Sequence, residues 1–162
     1  MRYLITGGSG YIGSRLIEIL AARDDTDAIV DVDVRPPRTQ NAKVTFVRGD
    51  VRDLTAMRDL LEREKPDALV HLAFILNPIR DEARMYEVDV NGTHAVLRAA
   101  AAAGTEQVLV TSSATAYGAF PDNPTPIAED SPFAVSPASR TPDTRPRWTA
   151  SASCGRWSSP IA

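Results

Sequence analysis

The sequence is short of cysteine, of long apolar runs and of charge of one sign, and each shortage removes a class of function. Its one cysteine, Cys154, excludes an internal disulfide and a cysteine metal cluster, which fits a reducing compartment. No apolar run approaches the roughly 20 residues a membrane helix needs. Net charge is -3 over 162 residues, with acids and bases interspersed, so neither nucleic acid nor an anionic membrane is an expected partner. Met1 runs at once into the strand-like Arg2-Tyr3-Leu4-Ile5-Thr6, without the apolar stretch and small-residue cleavage site of a signal peptide. These features together lead us to expect one soluble domain in the cytoplasm with a small-molecule partner.

Short apolar runs alternate with longer segments of helical period, which predicts a parallel sheet with crossover helices. Strands are expected at 2–6, 28–33, 43–48, 67–73 and 107–112. Helices are expected at 11–23, with Ile12, Leu16, Ile19 and Leu20 on the core face, and at 53–64, with Leu54, Met57, Leu60 and Leu61. A longer helix spans 82–103, ends in the alanines 99–103 and stops at Gly104. Its small side chains would let another helix approach closely.

Thr6-Gly7-Gly8-Ser9-Gly10-Tyr11-Ile12-Gly13 follows the first strand and opens the first helix. In that context the spacing of Gly7, Gly10 and Gly13 reads as a dinucleotide-binding turn. Glycines there allow a tight turn, a close approach to a pyrophosphate and close helix-strand packing, and the helix N-terminus favours the anion. Asp33 ends the second strand, 20 residues after Gly13, where a carboxylate can accept from the adenosine ribose hydroxyls. It favours NAD over NADP because it would repel a 2′-phosphate, although Arg35 nearby could pair one. Asp50 follows the third strand and either caps the next helix or reaches the adenine amino group.

With these motifs in place, the chain resembles the NAD-dependent epimerase/dehydratase branch of the extended short-chain dehydrogenase/reductase superfamily. The resemblance covers about residues 1–135. It rests on the turn at 6–13, on Gly49-Asp50-Val51, on His71-Leu72-Ala73, on Val90-Asn91-Gly92-Thr93, and on Thr111-Ser112-Ser113-Ala114-Thr115-Ala116-Tyr117-Gly118. It implies a Rossmann doubly wound parallel sheet of strand order 3-2-1-4-5, incomplete on its C-terminal side. It also implies a cofactor site including Tyr11, Ile12, Asp50 and Val51, with Leu72 and Ala73 beside the ribose and nicotinamide and Asn91 holding the backbone around the site. Ser113 matches the Ser/Thr that hydrogen-bonds the reacting hydroxyl or carbonyl. By its position alone, just past a strand end, Ser113 reads equally as a turn residue. His71 lies inside an apolar strand, which favours a packed histidine over an acid or base.

The pattern breaks after Ser113. The family pairs that serine with a Tyr-x-x-x-Lys some 25–30 residues on, yet no lysine follows Lys65 and the only tyrosine after Ser113 is Tyr117, which matches another element. From Arg140 to Ala162 the composition changes to four Arg, three Pro, four Ser and both Trp, without Leu, Val or Lys. We expect residues 136–162 to form an irregular tail. The codons of Arg140-Thr141-Pro142-Asp143-Thr144-Arg145, read one nucleotide earlier, permit Tyr-Ala-Arg-His-Lys, so a frame shift near residue 139 is expected. Loss of that helix would leave apolar sheet surface and an open edge, with marginal stability and a tendency to associate. Catalysis should be weak or absent even if NAD binds. The resemblance leaves three readings: an epimerase/dehydratase acting on a nucleotide sugar, a carbonyl reductase of the steroid-dehydrogenase or dihydroflavonol-reductase type, and a non-catalytic dinucleotide-binding module. It also implies a homodimer using the 82–103 helix.

Overall fold

A computed structural model describes residues 1–37, 40–76, 79–118, 121 and 123–131. The expected tail at 136–162 lies outside the described residues. Two units are present, Met1–Thr111 and Ser112 onward.

The first unit is built on five parallel strands: β1 (Arg2–Thr6), β2 (Ala28–Asp33), β3 (Val44–Arg48), β4 (Ala68–His71) and β5 (Gln107–Val110). Their order is β3-β2-β1-β4-β5, as expected, with Thr6 level with Val32 on one side and His71 on the other. The register therefore brings the C-terminal ends of β1, β2 and β4 together, the position where open α/β sheets bind ligands. β4 stops at His71, shorter than its apolar pattern, and residues 72–76 leave the sheet.

Helix α1 (Tyr11–Ala21) covers one face of the sheet. Ile17 and Ala21 pack there against Ile5 and Ile29. Helices α2 (Leu54–Glu64) and α4 (Thr93–Ala103) share the other face, where Met57, Leu60, Leu61, Val96, Ala99 and Ala100 enclose Leu4, Val30, Val32 and Leu69. Ala99, Ala100 and Ala103 of α4 thus pack within this chain, whereas Ala101 and Ala102 are exposed. Burying a residue such as Leu61 or Leu69 contributes about 1.5–3 kcal/mol, so these two layers hold the strand ends in place.

Three details differ from the sequence pattern. In α1, Ile12 and Ile19 are 56% and 54% exposed, and the buried row is Gly13, Ile17 and Ala21. The cause is Gly13: a Cβ there would stand 2.4 Å from the Gly7 carbonyl oxygen, so α1 lies directly on the glycine turn and is rotated by that contact. In α2, Leu54 is at the helix start and exposed. The 82–103 segment is three pieces, α3 (Glu82–Tyr86), a π-helical turn (Glu87–Gly92) and α4. Gly92 closes that π turn against Val51, whose Cγ2 would be 2.8 Å from a Cβ.

The second unit contains a 3-10 turn, Ala114–Tyr117, with Ala116 N–H donating to the Ser113 carbonyl at 3.0 Å. Asn123 Nδ2 donates to the Gly118 carbonyl at 2.8 Å, and Ser131 and Ala128 bond each other reciprocally.

Candidate functional site

At the C-terminal end of β1, the Gly7 N–H donates to the Val32 carbonyl at 2.8 Å and Leu72 N–H donates to Thr6, also on a backbone oxygen, at 2.9 Å. Gly7 sits at φ +75 with its Cα against the Leu72–Ala73 backbone; a Cβ would meet three of those atoms at 2.8 Å. Only glycine fits that approach. Gly10 differs. Among the described residues a Cβ there would meet only the Gly7 carbonyl oxygen, at 3.1 Å, and otherwise open space.

Gly10 is also the N-cap of α1, and among the described residues no side chain caps that helix end. The first-turn N–H groups lack intrahelical partners, and α1 carries no acidic residue in its first turn. The turn therefore presents unbonded backbone N–H groups at a positive dipole end, with open space above Gly10 among the described residues: the chemistry of a pyrophosphate cradle. Tyr11 and Ile12 stand exposed at its rim.

Asp33 ends β2 and is 8% exposed. Its Oδ1 accepts from the Arg35 N–H at 3.0 Å, which orients the carboxylate, while the Arg35 side chain lies exposed. Asp50 pairs with Arg52, Oδ2 to Nη2 at 2.6 Å, and this bond holds its carboxyl below the usual range. Of its two sequence readings the helix cap is overturned. Asp53 caps α2, accepting from the Ala56 N–H at 3.0 Å. Val51 is buried in the core beneath the π turn. Leu72 and Ala73 are half-buried beside Gly7. Asn91 lies exposed in the π turn and donates to Glu87 at 2.8 Å. Ser113 is the second residue of the second unit, ahead of the 3-10 turn.

Four polar residues of this region carry no role in the sequence reading. Asp31, on the same face of β2 as Asp33, is wholly buried; its Oδ2 accepts from the Ser9 hydroxyl at 2.8 Å, and its Oδ1 has no partner among the described residues. Burial pushes its carboxyl up, against the lowering effect of the Ser9 bond. Asp89, in the π turn, accepts from the Ile75 N–H at 2.8 Å and so fastens the segment after β4. Thr6 and Thr93 flank His71 at 2.6 and 3.0 Å. His71 is fully buried, and burial lowers its pKa from 6.5 to about 4, so it is the packed neutral histidine expected.

The sheet order, the glycine turn and the carboxylate at the end of β2 define a Rossmann-type dinucleotide-binding domain. Residues 3–141 match the model of the NAD dependent epimerase/dehydratase family, and the chain belongs to that family. It is 33% identical over 144 residues to a UDP-glucose 4-epimerase of Erwinia amylovora, covering 82% of this chain and 42% of that one. The Bordetella bronchiseptica enzyme WbmG, solved in complex with NAD, superposes with a TM-score of 0.73 at 32% identity, covering 83% of this chain and 44% of WbmG. WbmH of the same organism, in complex with NAD+, gives 0.74 at 28% identity, covering 85% and 46%. This chain spans less than half the length of these relatives. Among the described residues no helix is long and apolar enough to cross a membrane.

Proposed function

We propose that this chain is the NAD-binding part of an epimerase/dehydratase in which a nucleotide-sugar hydroxyl is oxidised by hydride transfer to the nicotinamide. The observation that carries the reading is the open backbone cradle above Gly10 at the uncapped N-terminus of α1, with Asp33 ending the neighbouring strand. In it the turn from Gly7 to Gly13 takes the pyrophosphate and Asp33 takes the ribose hydroxyls, which favours NAD over NADP. Leu72 and Ala73 form the wall beside the ribose and nicotinamide, and Asp50 and Val51 border the adenine. Ser113 holds the reacting hydroxyl.

Bound NAD supplies a hydride acceptor. Support for the nucleotide sugar comes from the Erwinia UDP-glucose 4-epimerase and from WbmG, which was also solved with NAD and UDP. A second reading, a dinucleotide-binding module without turnover, is favoured by one sequence fact: no Tyr-x-x-x-Lys follows Ser113. General acid/base transfer contributes roughly 10²–10⁴-fold, so binding is retained and turnover falls by that order.

Two measurements test this. Bound NADH is expected to be displaced by NAD⁺ at lower concentration than by NADP⁺, with the preference narrowed in Asp33→Ser; equal displacement overturns the NAD assignment. UDP-glucose turnover at saturating NAD⁺ is expected to be below about a hundredth of that of a full-length relative. Turnover at the relative's rate overturns the second reading.

A further inference from the structure

His71 takes no part in the chemistry proposed above, yet both of its ring nitrogens are hydrogen-bonded in the core. The direction of each bond follows from its neighbours. The Thr93 hydroxyl proton goes to the Asp89 carbonyl oxygen at 2.6 Å, so Thr93 Oγ1 accepts from the ring and His71 Nε2 carries the proton. His71 Nδ1 is then an acceptor, and the Thr6 hydroxyl donates to it at 2.6 Å. A ring protonated on both nitrogens would turn Nδ1–H on Thr6 and leave that hydroxyl proton without the ring as acceptor, at a residue that is 0% exposed. The neutral Nε2–H tautomer satisfies every member of the relay from Thr6 through His71 and Thr93 to Asp89.

The ends of the relay are parts of the candidate site. Thr6 immediately precedes Gly7, and Gly7 lies on the Leu72–Ala73 backbone. The Asp89 carboxylate holds the Ile75 N–H. The His71 carbonyl oxygen takes the N–H and hydroxyl of Thr111, at 3.2 and 3.3 Å, where β5 ends. Four chain segments therefore meet at one side chain and its peptide. The π turn is the irregular element among them, and π turns occur often at functional sites.

We infer that His71 is a positioning residue of the dinucleotide site, holding the phosphate turn and the π turn in one register through its two opposed hydrogen bonds. The cradle and the 72–75 wall then form one preformed surface, and the ordering needed for binding is already in place before the cofactor arrives. This inference rests on the dinucleotide-binding reading.

The test is a double-mutant cycle on the full chain, titrating NADH into Thr6→Val, Thr93→Val and the double variant, with His71 intact and in His71→Phe. Each single change is expected to weaken binding about fivefold, the size of one neutral buried hydrogen bond. The double variant should be little weaker than either, because breaking the relay at one end already releases it, and this coupling should vanish in His71→Phe. Effects that multiply to about 25-fold, or a coupling that survives in His71→Phe, overturn the inference. A second measurement needs no cofactor. Amide exchange at Gly7 and Gly10 is expected to quicken severalfold in Thr93→Val, at the far end of the relay, while the Leu4 amide within β1 does not change. Unchanged protection at Gly7 and Gly10 overturns the inference whether or not NADH binds. Quickened exchange in a chain that does not bind NADH counts against the dinucleotide reading alone.

Discussion

Two glycines three residues apart should fail in opposite ways when each is given a methyl group. In Gly13→Ala the new Cβ would lie 2.4 Å from the Gly7 carbonyl oxygen, 2.5 Å from Gly8 Cα and 2.7 Å from the Gly8 carbonyl oxygen. All three are backbone atoms that no rotamer change can move, so α1 must lift from the turn. Overpacking of this kind costs about 3 kcal/mol, and the better helix propensity of alanine offsets about 1, leaving a loss of about 2 kcal/mol. In a domain of this size that lowers Tm by about 6–10 °C. In Gly10→Ala the single close neighbour among the described residues is the Gly7 carbonyl oxygen at 3.1 Å, and the residue is an N-cap with φ -75, which alanine adopts freely. The stability loss should stay under about 1 kcal/mol. The methyl group instead occupies the open cradle, and NADH affinity should fall at least about tenfold, or 1.4 kcal/mol. Thermal melts by circular dichroism and NADH fluorescence titrations of both variants separate the effects. A Gly13→Ala chain as stable as the parent, or a Gly10→Ala chain that binds NADH as the parent does, refutes the assignment of one glycine to packing and the other to the ligand.

Other expectations concern ionisation and capping. The folded His71 ring accepts a proton only near pH 4, the unfolded one near 6.5, so the unfolded state binds more protons in between and stability falls as pH drops through that window. The loss is ~3 kcal/mol in all; urea midpoints of His71→Phe should lack this part of the pH dependence, and an unchanged slope contradicts the assignment. Asp31 behaves oppositely: its raised folded pKa means stability falls as pH rises from 3.8 through the folded value. Asp31→Asn keeps an acceptor for Ser9 without the buried charge, so its urea midpoint should exceed that of the parent at pH 7 but not at pH 3; a lower midpoint at pH 7 would show that the charge itself is needed. Asp53→Ala should lose about 1 kcal/mol with the α2 cap, whereas Asp50→Ala should lose under about 0.5, because the exposed Asp50–Arg52 pair is screened. Equal losses would mean that the capping assignment is mistaken.

The strands and their order were legible because buried parallel strands are near-continuous apolar runs, as in Ala28–Asp33 and Ala68–His71. The glycine turn was legible because its spacing sits between a strand and a helix. The rotation of α1 was not. Periodicity alone prefers Ile12 and Ile19 to Ile17, and only the packing of Gly13 on the turn decides which row is buried. The π turn was hidden for a similar reason: residues 82–103 keep one helical pattern, and the break is visible only where Gly92 meets Val51 and Asp89 reaches Ile75. Asp31 carried no signal beyond a charge in an apolar strand, a signal that could have been read as a buried carboxylate. Thr6 and Thr93 are 87 residues apart in the chain, and only the sheet brings both to His71.

Dinucleotide binding at the glycine turn is tested by titrating the purified 162-residue chain with NADH, followed by nicotinamide fluorescence, beside Gly10→Asp. The carboxylate introduced there would stand in the cradle and repel the pyrophosphate. Saturable binding by the parent that disappears in Gly10→Asp, with both chains folded by circular dichroism, is the expected result. A folded parent chain that shows no saturable binding, or a Gly10→Asp chain that binds equally well, would contradict the assignment of this turn as the dinucleotide site.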